Sequence, residues 1–131
     1  MNKREFGTKY EELVADYLIK QGFLLLEKNY VTPFGEADLI MRDGNEIVFI
    51  EVKARRSVKY GLPAEAVTYS KQKKYLLNAE YYVLNELRGN PDIKSDTAIR
   101  FDVAQIYIKE GTPYINYIRN AFDFTGYNRF Y

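Results

Sequence analysis

A hairpin signature within residues 35–56 constrains the fold of this chain more than any other stretch. Two apolar runs, Leu39–Met41 and Ile47–Val52, flank the polar segment Arg42–Glu46, which has Asp-Gly-Asn at its centre. Asp, Gly and Asn tolerate the positive φ angles that tight hairpin turns need. The pattern therefore predicts two antiparallel strands that are apolar on both faces, as expected of strands in the interior of a sheet.

The register of this hairpin brings two carboxylates together. If Gly44 and Asn45 form the turn, Asp38 lies directly opposite Glu51, and Lys53 projects on the same face. At about 4–5 Å and an effective dielectric of about 20, the two acids repel each other by roughly 4 kcal/mol. A shared proton, a neighbouring cation or a bound metal would compensate. A four-residue loop gives the same pairing, whereas an odd-length loop with a bulge would move the acids to opposite faces. The other pairs in this register are Asp43–Glu46, Arg42–Ile47, Ile40–Phe49 and Glu36–Lys53.

The composition narrows the chemistry open to these acids. The chain has 131 residues, no cysteine and no histidine, which excludes disulfides, thiolate or imidazole metal sites and Ser-His triads. Catalysis would have to use carboxylates, Lys, Tyr or a metal held by oxygen atoms, and oxygen ligands favour Mg²⁺ or Mn²⁺. The length and the balance of 47% hydrophobic and 28% charged residues predict one globular domain. The amino terminus lacks a secretion signal, so we expect a cytoplasmic protein.

Positive charge is concentrated after the hairpin. The net charge is +1 overall, but residues 53–74 carry +6 and the remainder −5. A basic cluster beside paired acids suits a phosphate backbone, although a solvated loop and an exposed helix start would show the same composition. The basic residues are Lys53, Arg55, Arg56, Lys59, Lys71, Lys73 and Lys74.

The remaining periodicities predict an α/β fold with one central mixed β-sheet flanked by helices, in the order α-β-β-β-α-β-β. Residues 119–131 form an aromatic tail, for which packing, base stacking and a dimer contact all remain open. The predicted elements are a helix over 5–20, a strand over 23–30, the hairpin, a basic loop over 54–62, a helix over 71–87 capped by Ser70, and strands over 99–108 and 114–118.

Three further polar residues stand out in these elements. Glu11 lies at the edge of the apolar face of the first helix, and taken alone it reads as a surface carboxylate. Arg100 and Asp102 share one face of the strand over 99–108, and we expect them to form a salt-bridged rim.

The spacing of the hairpin acids resembles a known family. An acid on one strand followed by Glu-Val-Lys on the next, after a leading helix, resembles the PD-(D/E)xK restriction-endonuclease-like nucleases, with Asp38, Glu51 and Lys53 in the motif positions. The segment Gly7–Glu11 resembles the additional helix-borne acid of archaeal Holliday-junction resolvases. Over residues 7–122 the chain is similar to the small bacterial YraN-like family of uncharacterised nuclease-like proteins. Matching pieces include Tyr17-Leu18, Asn29, Gly35-Glu36-Ala37-Asp38-Leu39-Ile40, Val48-Phe49-Ile50-Glu51-Val52-Lys53-Ala54-Arg55, Lys71-Gln72, Arg100-Phe101-Asp102-Val103 and Ile118-Arg119-Asn120-Ala121-Phe122.

The resemblance implies a Mg²⁺- or Mn²⁺-dependent endonuclease that acts on DNA with little sequence preference. It suggests branched or junction DNA as substrate and a homodimer as the assembly. Two alternatives stay open: a nucleic-acid-binding module that does not cut, and a structural adaptor that uses the aromatic tail. The implied catalytic residues are Asp38, Glu51, Lys53 and Glu11, the implied metal ligands are Asp38, Glu51, Glu11 and the Val52 carbonyl, and the implied DNA contacts are Arg55, Arg56, Lys71, Lys73 and Lys74.

Overall fold

A computed structural model describes residues 3–55, 69–87 and 97–122 of the chain. The elements follow the predicted order, and a five-residue π-helical turn, Val83–Leu87, continues the second helix. They are α1 (Lys3–Ile19), β1 (Leu24–Thr32), β2 (Gly35–Asp43), β3 (Glu46–Arg55), α2 (Tyr69–Tyr82), β4 (Ala98–Lys109) and β5 (Thr112–Phe122).

The strands form one five-stranded mixed sheet in the order β1-β2-β3-β4-β5. Strands β3 and β4 are parallel, and the other neighbouring pairs are antiparallel. Because α2 lies between β3 and β4 in the chain, it supplies the crossover that a parallel pair requires. The predicted α/β class, the mixed sheet and the α-β-β-β-α-β-β order are confirmed.

The hairpin between β2 and β3 has the predicted two-residue turn. Gly44 has a φ angle of 60°, which is the left-handed conformation that glycine adopts without strain. The ladder runs from Asp43–Glu46 at the turn to Leu39–Ile50, in the register predicted from the sequence. Pairing stops there, one residue before Asp38 would meet Glu51.

A helix covers each face of the sheet over a separate apolar core. On one face, Tyr10, Val14 and Leu18 of α1 pack against Leu39 and Ile50. On the other face, α2 packs against the sheet through a cluster that is rich in stacked and edge-to-face aromatic rings. This second cluster contains Ile40, Phe49, Ala79, Tyr82, Phe101 and Phe122. The two helix faces confirm the predicted layers.

The predicted salt bridge between Arg100 and Asp102 is confirmed, but its predicted place at a rim is wrong, because both residues are buried. Arg100 is 5% and Asp102 2% exposed, and the guanidinium makes a bidentate ion pair with Asp102 at 3.0–3.2 Å. Arg100 Nη1 also donates to Asp43 Oδ2 at 3.0 Å and to Glu46 Oε1 at 3.1 Å. The pair is buried because the hairpin turn supplies these acceptors, so that the charge of Arg100 is compensated inside the protein.

Other boundaries differ from the predicted ones. Ser70 lies inside α2 instead of capping it, and β5 extends to Phe122, so the start of the predicted aromatic tail is part of the sheet. Phe122 stacks on Tyr75 and Phe101. The predicted basic loop began at Ala54, whereas β3 continues to Arg55. Residues 56–62 of that loop, with Arg56 and Lys59, and residues 123–131 of the tail lie outside the described residues. Neither helix within the described ranges is long and apolar enough to span a bilayer.

Candidate metal centre

Asp38 lies where β2 and β3 separate. Its Oδ2 accepts a hydrogen bond of 2.9 Å from the backbone N–H of Val52, in the place where the strand ladder would otherwise continue. The alternation of side chains breaks at the same point, since Leu39 packs on the α1 side whereas Ala37, two residues earlier, packs on the α2 side. The side chain of Asp38 therefore occupies an opening between the two strands.

A cavity of about 60 Å³ lies at this opening, which is room for a few water molecules. Asp38 and Glu51 both line it, so the two carboxylates share one site, as the hairpin register requires. Helix α2 contributes Tyr75 and Asn78 to the wall. The remaining lining residues are Glu36, Ala37, Phe49, Ile50, Phe101, Asp102 and Phe122.

The electrostatic environment of Asp38 opposes its ionisation. Burial, together with the neighbouring charges of Glu11, Glu51 and Glu36, raises the pKa of Asp38 to about 7, against the lowering effect of the Val52 N–H. A carboxyl group with this pKa is about half protonated at neutral pH. Three acids from α1, β2 and β3 are thus close enough to affect the ionisation of Asp38.

Glu51 acts on Asp38 through its charge and is itself affected by the charges of two lysines. Burial raises the pKa of Glu51, and the positive charges of Lys53 and Lys71 oppose that shift. Lys53 follows Glu51 on the same strand, whereas Lys71 lies in the first turns of α2. Lys71 is on the same side of that helix as Tyr75 and Asn78, which line the cavity. The site therefore combines acids with ammonium groups from two elements.

Glu11 approaches from the other face of the sheet. It is 9% exposed, and burial raises its pKa, while a hydrogen bond from the Asn29 side chain and the charge of Lys28 lower it and the charge of Glu36 raises it. The expectation for Glu11 taken alone, a surface carboxylate, is wrong. The helix-borne acid implied by the resemblance is buried, and its charge raises the pKa of Asp38.

Two of these acids have an oxygen with no protein partner. Among the described residues, Oε2 of Glu11 and Oε2 of Glu51 are buried without a hydrogen-bond partner. A buried, unpaired carboxylate oxygen is costly unless a cation or a donor reaches it. Oxygen donors of this kind fit a hard divalent ion such as Mg²⁺ or Mn²⁺. As placed, no three acidic side chains in the described ranges form a closed set of ligands for an ion.

The predicted DNA-contact residues divide into two groups. Lys71, Lys73 and Lys74 are exposed on the first turns of α2, and Lys71 is the one whose charge acts on Glu51. Arg55 ends β3, and Arg56 lies outside the described residues. Val52 meets Asp38 through its N–H, and the implied role of its carbonyl group stays a prediction.

Sequence reasoning singled out neither Asn78 nor Thr32, and it placed Glu36 opposite Lys53 instead of in the cavity wall. Asn78 is 2% exposed and accepts a hydrogen bond from the Thr32 hydroxyl, which ties α2 to the turn before β2. In that turn Gly35 has a φ angle of 143°, in the region that favours glycine. Glu36, expected opposite Lys53, instead lines the cavity and adds its charge to Asp38 and Glu11. The signal in the sequence for Asn78 is a polar residue among the apolar positions of an amphipathic helix, directly before Ala79.

The fold and the site together define an α/β protein with an acidic centre at the end of a central hairpin, and comparison with known proteins adds the family. The chain belongs to the family described as Uncharacterised protein family UPF0102, whose model matches residues 10–106 and so spans all four predicted catalytic residues. A UPF0102 protein of Caldicellulosiruptor saccharolyticus is 43% identical over 124 residues, covering 93% of this chain and 100% of the relative. UPF0102 proteins of Clostridioides difficile and Thermodesulfovibrio yellowstonii are 41% and 44% identical over 122 residues, covering 93% of this chain and 100% and 99% of the relatives.

Proposed function

We propose that this protein is a Mg²⁺- or Mn²⁺-dependent endonuclease that hydrolyses DNA phosphodiesters with little sequence preference. One observation carries the proposal: Glu11 and Glu51, whose charges both act on Asp38, each bury a carboxylate oxygen that has no hydrogen-bond partner among the described residues. Protein interiors rarely keep acids in this state without a positive partner. The positive charges of Lys53 and Lys71, which act on Glu51, would attract an anionic substrate to this site.

The residues that would hold the ion are Asp38, Glu51 and Glu11, with the Val52 carbonyl as a fourth donor. When bound, a divalent ion of this type acidifies water and neutralises charge on a phosphate. The hydrogen bond from the Val52 N–H holds Asp38 in one orientation before any ion binds. This preorganisation reduces the reorganisation that binding would require.

Lys53 would be the group that acts on the substrate. It lies two residues beyond Glu51 on β3 and exerts its charge on that carboxylate. An ammonium group here would orient the attacking water by donating to it, or stabilise the negative charge that develops on the phosphate oxygens. Its three N–H donors allow it to serve both groups in turn.

The lysines at the start of α2 would bind the DNA backbone. Lys71, Lys73 and Lys74 are exposed, and the amino-terminal end of a helix favours anions. Contacts of this kind position a duplex without reading its bases, which agrees with weak sequence preference. The branched or junction DNA that the resemblance implies is the first substrate to test.

Cleavage of labelled junction, flapped, nicked and linear DNA in Mg²⁺ or Mn²⁺ tests the proposal. We expect cleavage by the wild-type protein and a loss of roughly 100-fold or more in rate for Glu51→Gln and Glu11→Gln. Glu12→Gln is the matched control, because Glu12 is the exposed neighbour of Glu11 and makes a weak 3.9 Å contact with Lys28. Its rate should equal that of the wild type.

Two outcomes would count against this function. If none of the four DNA forms is cut with either ion, the endonuclease proposal fails, and DNA binding without cleavage would instead support a non-catalytic binding module. If Glu51→Gln cuts as fast as Glu12→Gln, a contaminating nuclease explains the activity and the proposed site is wrong.

A further inference from the structure

Asn29 has an unusual backbone in the middle of β1. Its φ angle is 51°, in the left-handed region that non-glycine residues adopt rarely inside a strand. The neighbouring pairs Lys28–Leu39 and Tyr30–Ala37 bracket it, so Asn29 stands opposite Asp38 in the β1–β2 register. No Asn29–Asp38 pair appears in the ladder of these two described strands. The sheet is therefore irregular on both flanks of Asp38.

The side chain of Asn29 has a specific partner. It forms a hydrogen bond with the carboxylate of Glu11, which arrives from α1. Glu11 is 9% exposed, and its Oε2 has no hydrogen-bond partner within the described ranges. The side-chain amide of asparagine can donate to a carboxylate, whereas the backbone alone would be served better by glycine at this φ angle. The presence of Asn instead of Gly at a strained position points to a use for its amide.

We infer that Asn29 is a positioning residue for Glu11. Its amide fixes one side of the carboxylate from β1, so that Oε2 is held toward the opening at Asp38, ready to reach a divalent ion. This inference rests on the proposed metal site, and in it Asn29 supports a metal ligand without coordinating the ion itself.

Calorimetric titration of the whole protein with Mn²⁺ tests this role. Asn29→Gly keeps the left-handed backbone and removes the amide, and we expect it to weaken Mn²⁺ binding by about 10-fold or more, as loss of a supporting hydrogen bond to a metal ligand does. Asn120→Gly is the matched control, because Asn120 is also left-handed within a strand, at φ 49°. The Gly variant of Asn120 should bind Mn²⁺ as the wild type does.

A double-mutant cycle separates positioning from general damage to the fold. In the Glu11→Gln background, Asn29→Gly should cause no further loss of Mn²⁺ affinity, because the carboxylate that it orients is absent. Equal losses in both backgrounds, or Mn²⁺ affinity unchanged by Asn29→Gly, would overturn the inference and leave the proposed function in place. If the wild-type protein itself binds no Mn²⁺, the metal site and this inference fall together.

Discussion

The backbone N–H of Val52 donates to Oδ2 of Asp38 at 2.9 Å, at the point where β2 and β3 stop pairing. A side chain thereby replaces the main-chain partner that the ladder would have supplied. This contact keeps an acid in a partly closed opening beside Glu51 and within the field of Glu11. The same arrangement costs stability when no cation is present, and under the proposed function a divalent ion would remove that cost.

Asp38→Asn should stabilise the metal-free protein at alkaline pH. The pKa of Asp38 is about 7 in the folded protein against an ordinary value of 3.8, so the folded state binds this proton more tightly than the unfolded chain. Its contribution to stability is full below pH 3.8 and is lost as pH rises through 7. Asparagine can still accept from the Val52 N–H without carrying the charge. In EDTA at pH 8 we expect Tm to rise by roughly 5 °C.

The increase in Tm caused by Asp38→Asn should be smaller at pH 5, because Asp38 of the folded wild-type protein is mostly protonated there. Thermal denaturation of both proteins across pH 5–8 measures the difference. Added Mn²⁺ should stabilise the wild type and not Asp38→Asn, because ligand binding raises the stability of the state that binds it. A Tm for Asp38→Asn below that of the wild type throughout this range in EDTA would contradict the electrostatic account.

Lys71 should differ from its neighbour Lys73. Both are exposed on α2 and each would contact backbone phosphate, so either Ala variant should weaken DNA binding and reduce the salt slope by about 1. Lys71 alone of this pair acts on Glu51, so Lys71→Ala should also lower kcat. Filter binding at several salt concentrations, with single-turnover cleavage, separates the two effects. Equal kcat values for Lys71→Ala and Lys73→Ala would show that Lys71 has no special place at the site.

Arg100 and Arg119 offer a matched pair for stability, since both contact Asp43. Arg100 is 5% exposed and serves Asp43, Glu46 and Asp102, whereas Arg119 is 57% exposed and lies 3.6 Å from Asp43. Arg100→Ala leaves the buried Asp102 without its cation and should cost about 3–5 kcal/mol in the free energy of unfolding. Arg119→Ala should cost less than about 1 kcal/mol. Urea denaturation gives both values, and similar losses would refute this assignment.

The hairpin is the part of the fold that local sequence specified best. Asp-Gly-Asn fixed the turn, the turn fixed the register, and the register placed Asp38 and Glu51 at one end of the same two strands. That register predicted that Asp38 and Glu51 lie together, and both line the same cavity. The alternation of apolar and polar residues gave the remaining strands with errors of a few residues at their ends.

Long-range contacts explain what local reasoning missed. The burial of Arg100 and Asp102 could not be predicted locally, because their partners lie far away in the chain. Arg100 donates to Asp43 and Glu46 in the hairpin. Asp102 accepts from the hydroxyl of Tyr117 on β5. Asn29 gives no local sign of its left-handed backbone, which occurs beside an irregularity in the β1–β2 ladder. Such burial becomes visible when the sheet brings distant segments together.

Diffraction from crystals soaked in Mn²⁺ tests most directly whether a divalent ion binds at Asp38, Glu51 and Glu11, because manganese can be located by its anomalous signal. We predict an anomalous peak at the end of the hairpin from an ion coordinated by carboxylate oxygens of Asp38 and Glu51, with Oε2 of Glu11 directed at the ion or at a water on it. The same soak of Glu51→Gln crystals should show a weaker peak or none. Well-ordered wild-type crystals with no manganese between Asp38 and Glu51 would contradict the account.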